Sequence, residues 1–236
     1  MNPVTQLVIA NRILAHEEVV DAYGHVSVRT EAGFLLSHSK APSSVEASDI
    51  LELDLAGKPV REDPRPLYLE RFIHAAIYEA RPDVMAVVHA HAEDVLPFTI
   101  ADVALRPVIH SGAFIGAEVP LWDIAATFGE RTDLLVRNMD QARDLAKSLG
   151  RNNVALMRGH GFAAAARSLI DVVRMSVYLP RNARAQRRAL QMGKLKPLSR
   201  GEIEARTSGY QPDSPETQRA WRYWAERAGC AHLLKP

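Results

Sequence analysis

Cysteine is almost absent: Cys230 is the only one in 236 residues. An internal disulfide is therefore excluded, and so is a metal site built on several thiolates. Net charge is nearly absent as well, +1 from 29 Lys and Arg against 28 Asp and Glu. That balance gives no general attraction to nucleic acid or to a membrane surface. No apolar run approaches the ~20 residues that a membrane span needs. Asn2, Pro3 and Gln6 precede the first apolar stretch where a signal peptide would carry basic residues. Internal repeats and low-complexity tracts are missing too. A cytoplasmic location is expected, with no nucleic-acid or membrane partner. Any metal must be held by imidazole and carboxylate.

What is present is an ordinary globular composition, 47% hydrophobic and 24% charged, enough for one sizeable domain or two small ones. Leu7, Val8, Ile13, Leu14, Val19 and Val20 predict a helix over about 4–20 with one buried face. Val26 to Arg29 alternates, and Phe34 to Ser37 follows Gly33, so a hairpin is expected. Another alternating strand is expected over 50–55, then a helix over about 67–80 whose apolar face holds Leu69, Phe72, Ile73, Ala76 and Ile77. Glu70 and His74 share one side of that helix. A short helix is expected over 92–98 and a strand approaching His110, with Val119-Pro120-Leu121 extended. A helix over 139–149 ends at Gly150, a strand over 153–157 follows, and Ser168 caps a long helix that Pro180 should kink. Beyond Lys194 the chain turns polar until an amphipathic stretch around Trp221 and Trp224.

The run Val84-Met85-Ala86-Val87-Val88-His89-Ala90-His91 reads as a buried strand ending in two histidines. A side-chain period of two puts both imidazoles on one face, where they suit a single divalent ion. The pair alone also occurs in loops. A second apolar strand, 153–157, delivers His160 between Gly159 and Gly161, and the glycines allow a sharp turn and close approach. His89, His91 and His160 with the carboxylate of Glu70 would complete a site for Zn²⁺ or Mn²⁺, with Fe²⁺ and Co²⁺ also compatible.

Gly24-His25-Val26-Ser27-Val28-Arg29, Glu70 in its helix, Arg81-Pro82-Asp83 leading into His89-Ala90-His91, and Gly159-His160-Gly161 together resemble the class II aldolase/adducin family. The resemblance runs from about residue 5 to 190. It implies an α/β/α fold around a central, mainly antiparallel sheet covered by helices. It implies one divalent ion per subunit at His89, His91 and His160, and an acid/base carboxylate at Glu70 that also ligates when substrate is absent. It further implies a homo-oligomer, a tetramer or a multiple of it, with sites between subunits. Residues 1–195 are expected to form the catalytic domain. Residues 196–236 form a tail packing on it or on a neighbouring subunit.

Departures from the sugar-phosphate aldolases narrow the expectation. Tyr68 and Leu69 stand where those enzymes carry a phosphate-binding serine pair, His25 replaces the usual asparagine, and Ser37-His38-Ser39-Lys40-Ala41-Pro42 replaces the glycine-containing phosphate loop. A phosphate site needs convergent donors, and part of that set is gone. Tyr68-Leu69-Glu70-Arg71-Phe72-Ile73-His74 is more similar to the family branch that decarboxylates hydroxylated benzene or pyridine ortho-dicarboxylates. The expected partner is then a small anionic aromatic substrate met in the breakdown of aromatic compounds. Glu70 and His25 are the candidate proton donors. Ser37, Lys40, Tyr68 and Arg71, with His25, are candidates to hold the substrate. His74 reads as support for a ligand or as a packed histidine. Three other readings stand beside this one: an aldolase cleaving a non-phosphorylated hydroxy-carbonyl compound through an enediolate, a non-catalytic assembly module, and oxygen chemistry at Fe²⁺.

Overall fold

In a computed structural model, residues 1–234 are described. The apolar and alternating runs form β1 (His25–Arg29), β2 (Phe34–Ser37), β3 (Ile50–Leu53), β4 (Ala86–Ala90), β5 (Leu121–Trp122), β6 (Val154–Met157) and β7 (Gly161–Ala166). They make one sheet in the order β3-β2-β1-β4-β7-β6-β5, antiparallel throughout except for the parallel β5–β6 pair. Both faces of the sheet are buried. Val26, Val88, Ala90, Leu156 and Phe162 join a core with α1 (Pro3–His16), α6 (Leu169–Met192) and α8 (Pro215–Arg227). Val87, Ala155, Ala163 and Ala165 face a second core under α2 (Arg71–Ala80) and α5 (Met139–Leu149). Strand periodicity therefore yields three layers, helices on each side of a mainly antiparallel sheet, as the family resemblance implies.

The same periodicity places chemistry. In β1 and β4, His25, Ser27, Val87 and His89 alternate with Val26, Val28, Ala86 and Val88, so the polar set points toward α2. The remaining helices are α3 (Pro97–Ile100), α4 (Ile124–Phe128) and α7 (Arg200–Thr207). After Lys194, α8 packs against α1 and α6, and Trp221 and Trp224 are buried in their shared core. Among the described residues no helix is long and apolar enough to cross a membrane.

Several elements differ from expectation. The first helix stops at His16 because Glu18 takes a positive φ of 58° and the Val19 N–H turns back to Leu14 O, so Val19 and Val20 are buried in a turn. The third strand ends at Leu53. The helix expected over 67–80 begins only at Arg71, with Glu70 as its flanking residue. Leu69 thereby leaves the apolar face and is 40% exposed. The short helix after His91 is Pro97–Ile100. Helix α6 runs on through Pro180 without ending.

The segment before His110 is no strand. Its backbone is instead paired by two buried amides of α6: Asn182 accepts from Val108 N and donates to Arg106 O, while Gln186 accepts from Arg106 N and donates to Ala104 O. Two side chains thus do the work of a neighbouring strand. Gly112 is required beside them, since a Cβ there would sit 2.4 Å from Asn182 Oδ1.

Candidate metal centre

The end of β4, the β6–β7 turn and the start of α2 meet at one point. His89, the fourth residue of β4, is fully buried, and His91 follows just past the strand's end. Their Nε2 atoms are 3.0 Å apart, and His160 Nε2 lies 3.1 Å from that of His91. Glu70 Oε2 is 3.3 Å from His89 Nε2 and 3.4 Å from His160 Nε2. These four groups, and no cysteine, form a ligand cluster whose donor atoms all lie within 4.8 Å of one another.

Surrounding hydrogen bonds decide which nitrogen faces inward. His89 Nδ1–H donates to Phe162 O at 3.1 Å, and His160 Nδ1–H donates to Leu134 O at 2.8 Å. Each bond leaves the Nε2 lone pair pointing into the cluster. Two fixed lone pairs, the His91 Nε2 and a carboxylate thus converge on one point, and a cation satisfies all four. Two nitrogens each about 2.05 Å from an ion lie about 2.9 Å apart at a right angle and about 3.3 Å apart at the tetrahedral angle. The observed separations fall in that interval, so the donor set fits a single divalent ion.

Burial and the Glu70 charge set the electrostatics of the cluster. Burial pushes the His91 imidazole down to about 3, helped by His89 and His160. Burial also lowers His160, yet its hydrogen bond and attraction to Glu70 outweigh this and raise it. Burial alone would raise Glu70, but His89 and His160 hold it well below the usual carboxylate range. Glu70 is an anion at rest.

A cavity of about 610 Å³ opens beside the cluster, within the usual size for a small-molecule site. His25, Lys40, Tyr68, Glu70, His91 and His160 all line it. Lys40 Nζ is 2.6 Å from Asp49 Oδ2. Burial would raise the Asp49 carboxyl, but Lys40, the Glu46 N–H and His38 bring it down to about 2. Tyr68 is fixed by donating its hydroxyl to Lys40 O, and its ring lies 4.6 Å from that of His25.

Two candidates stand elsewhere. Ser37 does not line the cavity; it is buried beneath Tyr68, donating to its hydroxyl at 3.3 Å. Arg71 also stays out, because its guanidinium holds Gly57 O and Tyr68 O and lies over the Phe72 ring. It braces the start of α2. His74 is a packed histidine bonded to His25.

No sequence pattern marks the segment 134–136. Leu134 O orients His160, Leu135 lines the cavity, and the Val136 N–H donates to Glu70 Oε1 at 2.9 Å. Leu134 does this at a φ of 64°, an uncommon conformation for a branched side chain and one that clusters at functional sites. Nothing in a leucine-rich loop announces it.

Gly161 is needed for the cluster. A Cβ there would meet Ala90 O at 2.3 Å and His91 Cδ2 at 3.0 Å. Gly161→Ala is expected to cost about 1–3 kcal/mol by overpacking and to lower metal affinity by moving His91. Thermal unfolding and metal titration of the variant check this.

The chain is similar to known proteins in sequence and fold. Residues 5–187 fit the family described as Class II Aldolase and Adducin N-terminal domain. The chain belongs to that family. Decarboxylase tropJ of Talaromyces stipitatus is 40% identical over 199 residues, covering 78% of this chain and 75% of that protein. The 3,4-dihydroxyphthalate decarboxylase of Arthrobacter keyseri is 33% identical, covering 72% of each. Among solved structures, an aldolase II superfamily protein from Pseudomonas syringae superposes with a TM-score of 0.78 at 22% identity, over 98% of this chain and 94% of that one. With these relatives and this fold, the class II aldolase-family chain is an enzyme of the lyase type.

Proposed function

We propose that this enzyme is a metal-dependent decarboxylase of a hydroxylated benzene or pyridine ortho-dicarboxylate. One observation carries the reading: His91, His160 and Glu70 of the cluster line a cavity whose wall sets a cation, Lys40, beside an aromatic ring, Tyr68. The decarboxylase relatives support it, three of them named for a dihydroxyphthalate.

His89, His91 and His160 would hold a divalent ion, Zn²⁺ or Mn²⁺ being favoured by imidazole and carboxylate, with Fe²⁺ and Co²⁺ also accepted. Such an ion supplies Lewis-acid stabilisation of the charge that develops as CO₂ leaves. Tyr68 with Leu69 and Leu135 makes a flat, partly apolar wall for the ring. Lys40 pairs with the carboxylate that stays. Glu70, ionised at rest, takes the proton of a ring hydroxyl and returns it to the carbon that loses CO₂. One proton is drawn from water for each carboxylate released as neutral CO₂. Tyr23, 71% exposed at the cavity's mouth, offers a surface for a neighbouring subunit in a homotetramer or a multiple of it.

CO₂ release measured on a panel of hydroxylated aromatic ortho-dicarboxylates tests the reading. Turnover of one member supports it. A metal-loaded protein that releases no CO₂ from any of them returns the site to aldol cleavage. The two candidate cations should part in the same assay: Lys40→Ala is expected to raise KM about tenfold or more, the loss of one charge-assisted contact. Arg71→Ala should leave KM unchanged and lower the unfolding temperature. Equal effects on KM would show that Arg71 reaches the substrate.

A further inference from the structure

Behind His25 runs a buried polar chain that the reaction above does not use. His25 Nδ1 is 2.6 Å from His74 Nε2, His74 Nδ1 is 2.6 Å from Ser27 Oγ, and Ser27 Oγ is 2.7 Å from the Tyr78 hydroxyl. Ser27 and His74 are wholly buried and Tyr78 very nearly so. The chain crosses from β1 to α2, because Ser27 follows His25 by one strand period and Tyr78 follows His74 by about one helical turn. Phe34 stacks on His74 and packs on Tyr78, so that flank is apolar.

We infer that His74, Ser27 and Tyr78 are positioning residues which fix the proton of His25 on Nε2, so that His25 meets the substrate as a neutral N–H donor to one of its oxygens.

The direction of the chain follows from its closed end. A phenol always carries one O–H donor; the Tyr78 hydroxyl meets Ser27 Oγ and the Val87 backbone N–H, and of these only Ser27 can accept. A buried donor left unpaired is far costlier than an unused lone pair, so Tyr78 donates to Ser27. Ser27 then has its own proton for His74 Nδ1, which must accept. A neutral imidazole that accepts at Nδ1 carries its proton at Nε2, so His74 donates to His25 Nδ1. By the same rule His25 is protonated at Nε2, the nitrogen left for the cavity it lines. Run the other way, the chain ends with the Tyr78 O–H facing no acceptor. A side chain that presented either tautomer would receive an oxyanion only part of the time; this one is set before the substrate arrives.

The orientation of His25 stands on geometry alone. Only its contact with a substrate oxygen rests on the proposed reaction. ¹⁵N-histidine spectra of the zinc-loaded and metal-free protein read each ring nitrogen as protonated or bare. The expected result is a protonated Nε2 and a bare Nδ1 for both His25 and His74. A proton on Nδ1 of His25 overturns the inference whatever the substrate turns out to be. In Tyr78→Phe and Ser27→Ala the Nε2–H population of His25 should fall and kcat/KM should drop about tenfold at unchanged metal content, with Ser27→Thr restoring both. Variants that keep the wild-type tautomer also overturn it. Failure to release CO₂ from any substrate, with the wild-type tautomer as expected, contradicts the decarboxylase reading and leaves the orientation of His25 standing.

Discussion

His160→Ala should purify without its divalent ion and lose nearly all activity. Removing this imidazole takes away one of three inward nitrogens and also the group that Leu134 O holds in place. Losing only the hydrogen bond behind a metal-bound histidine costs about 10–100-fold in affinity or activity. Losing the ligand itself should cost well beyond that. Metal analysis by mass spectrometry checks it, with circular dichroism to confirm the fold. His160 suits the experiment better than His89, because a buried His89→Ala change also opens a cavity in β4 and mixes packing loss into the result. A His160→Ala protein that keeps one ion and wild-type turnover would remove this cluster from the chemistry.

Glu70→Gln should separate binding from catalysis. The amide oxygen of glutamine can still accept from the Val136 N–H, so the segment 134–136 and the orientation of His160 are retained. The variant loses the negative charge and the ability to take and return a proton. General acid–base catalysis contributes roughly 10²–10⁴-fold, and kcat should fall by about that much while the ion stays bound, though more weakly. The comparison is kcat at saturating metal. A Glu70→Gln enzyme within a fewfold of wild type would assign the proton transfer to another group.

Much of this site was legible from the chain alone. His89 and His91 are bound to meet because strand periodicity fixes their direction, and the glycines on either side of His160 mark a tight turn at a strand end. Glu70 was legible as the carboxylate that completes a set with three strand-end histidines; its acid/base role came only with the family pattern. What stayed hidden depends on partners far apart in the chain. Arg71 adjoins Glu70 in sequence, yet its guanidinium is captured by Gly57 O, which no local pattern foretells. The helix starts at Arg71 because Tyr68 is tied to Lys40 O and Leu69-Glu70 form a turn, overriding the apolar periodicity that continues back to Leu67. The pairing of 104–108 by Asn182 and Gln186 escaped for the same reason: an extended run reads as a strand whether its partner is backbone or amide. Sequence distance hid these contacts.

Loss of CO₂ is expected to require an ion held by His89, His91 and His160. The most direct test removes the metal with a chelator, adds back Zn²⁺, Mn²⁺, Fe²⁺ or Co²⁺ in measured amounts, and follows CO₂ release from a turned-over substrate. The expected result is that activity vanishes with the metal and returns in proportion to added ion, reaching its plateau at about one ion per chain. Full CO₂ release by the metal-free protein would show that no bound ion is needed.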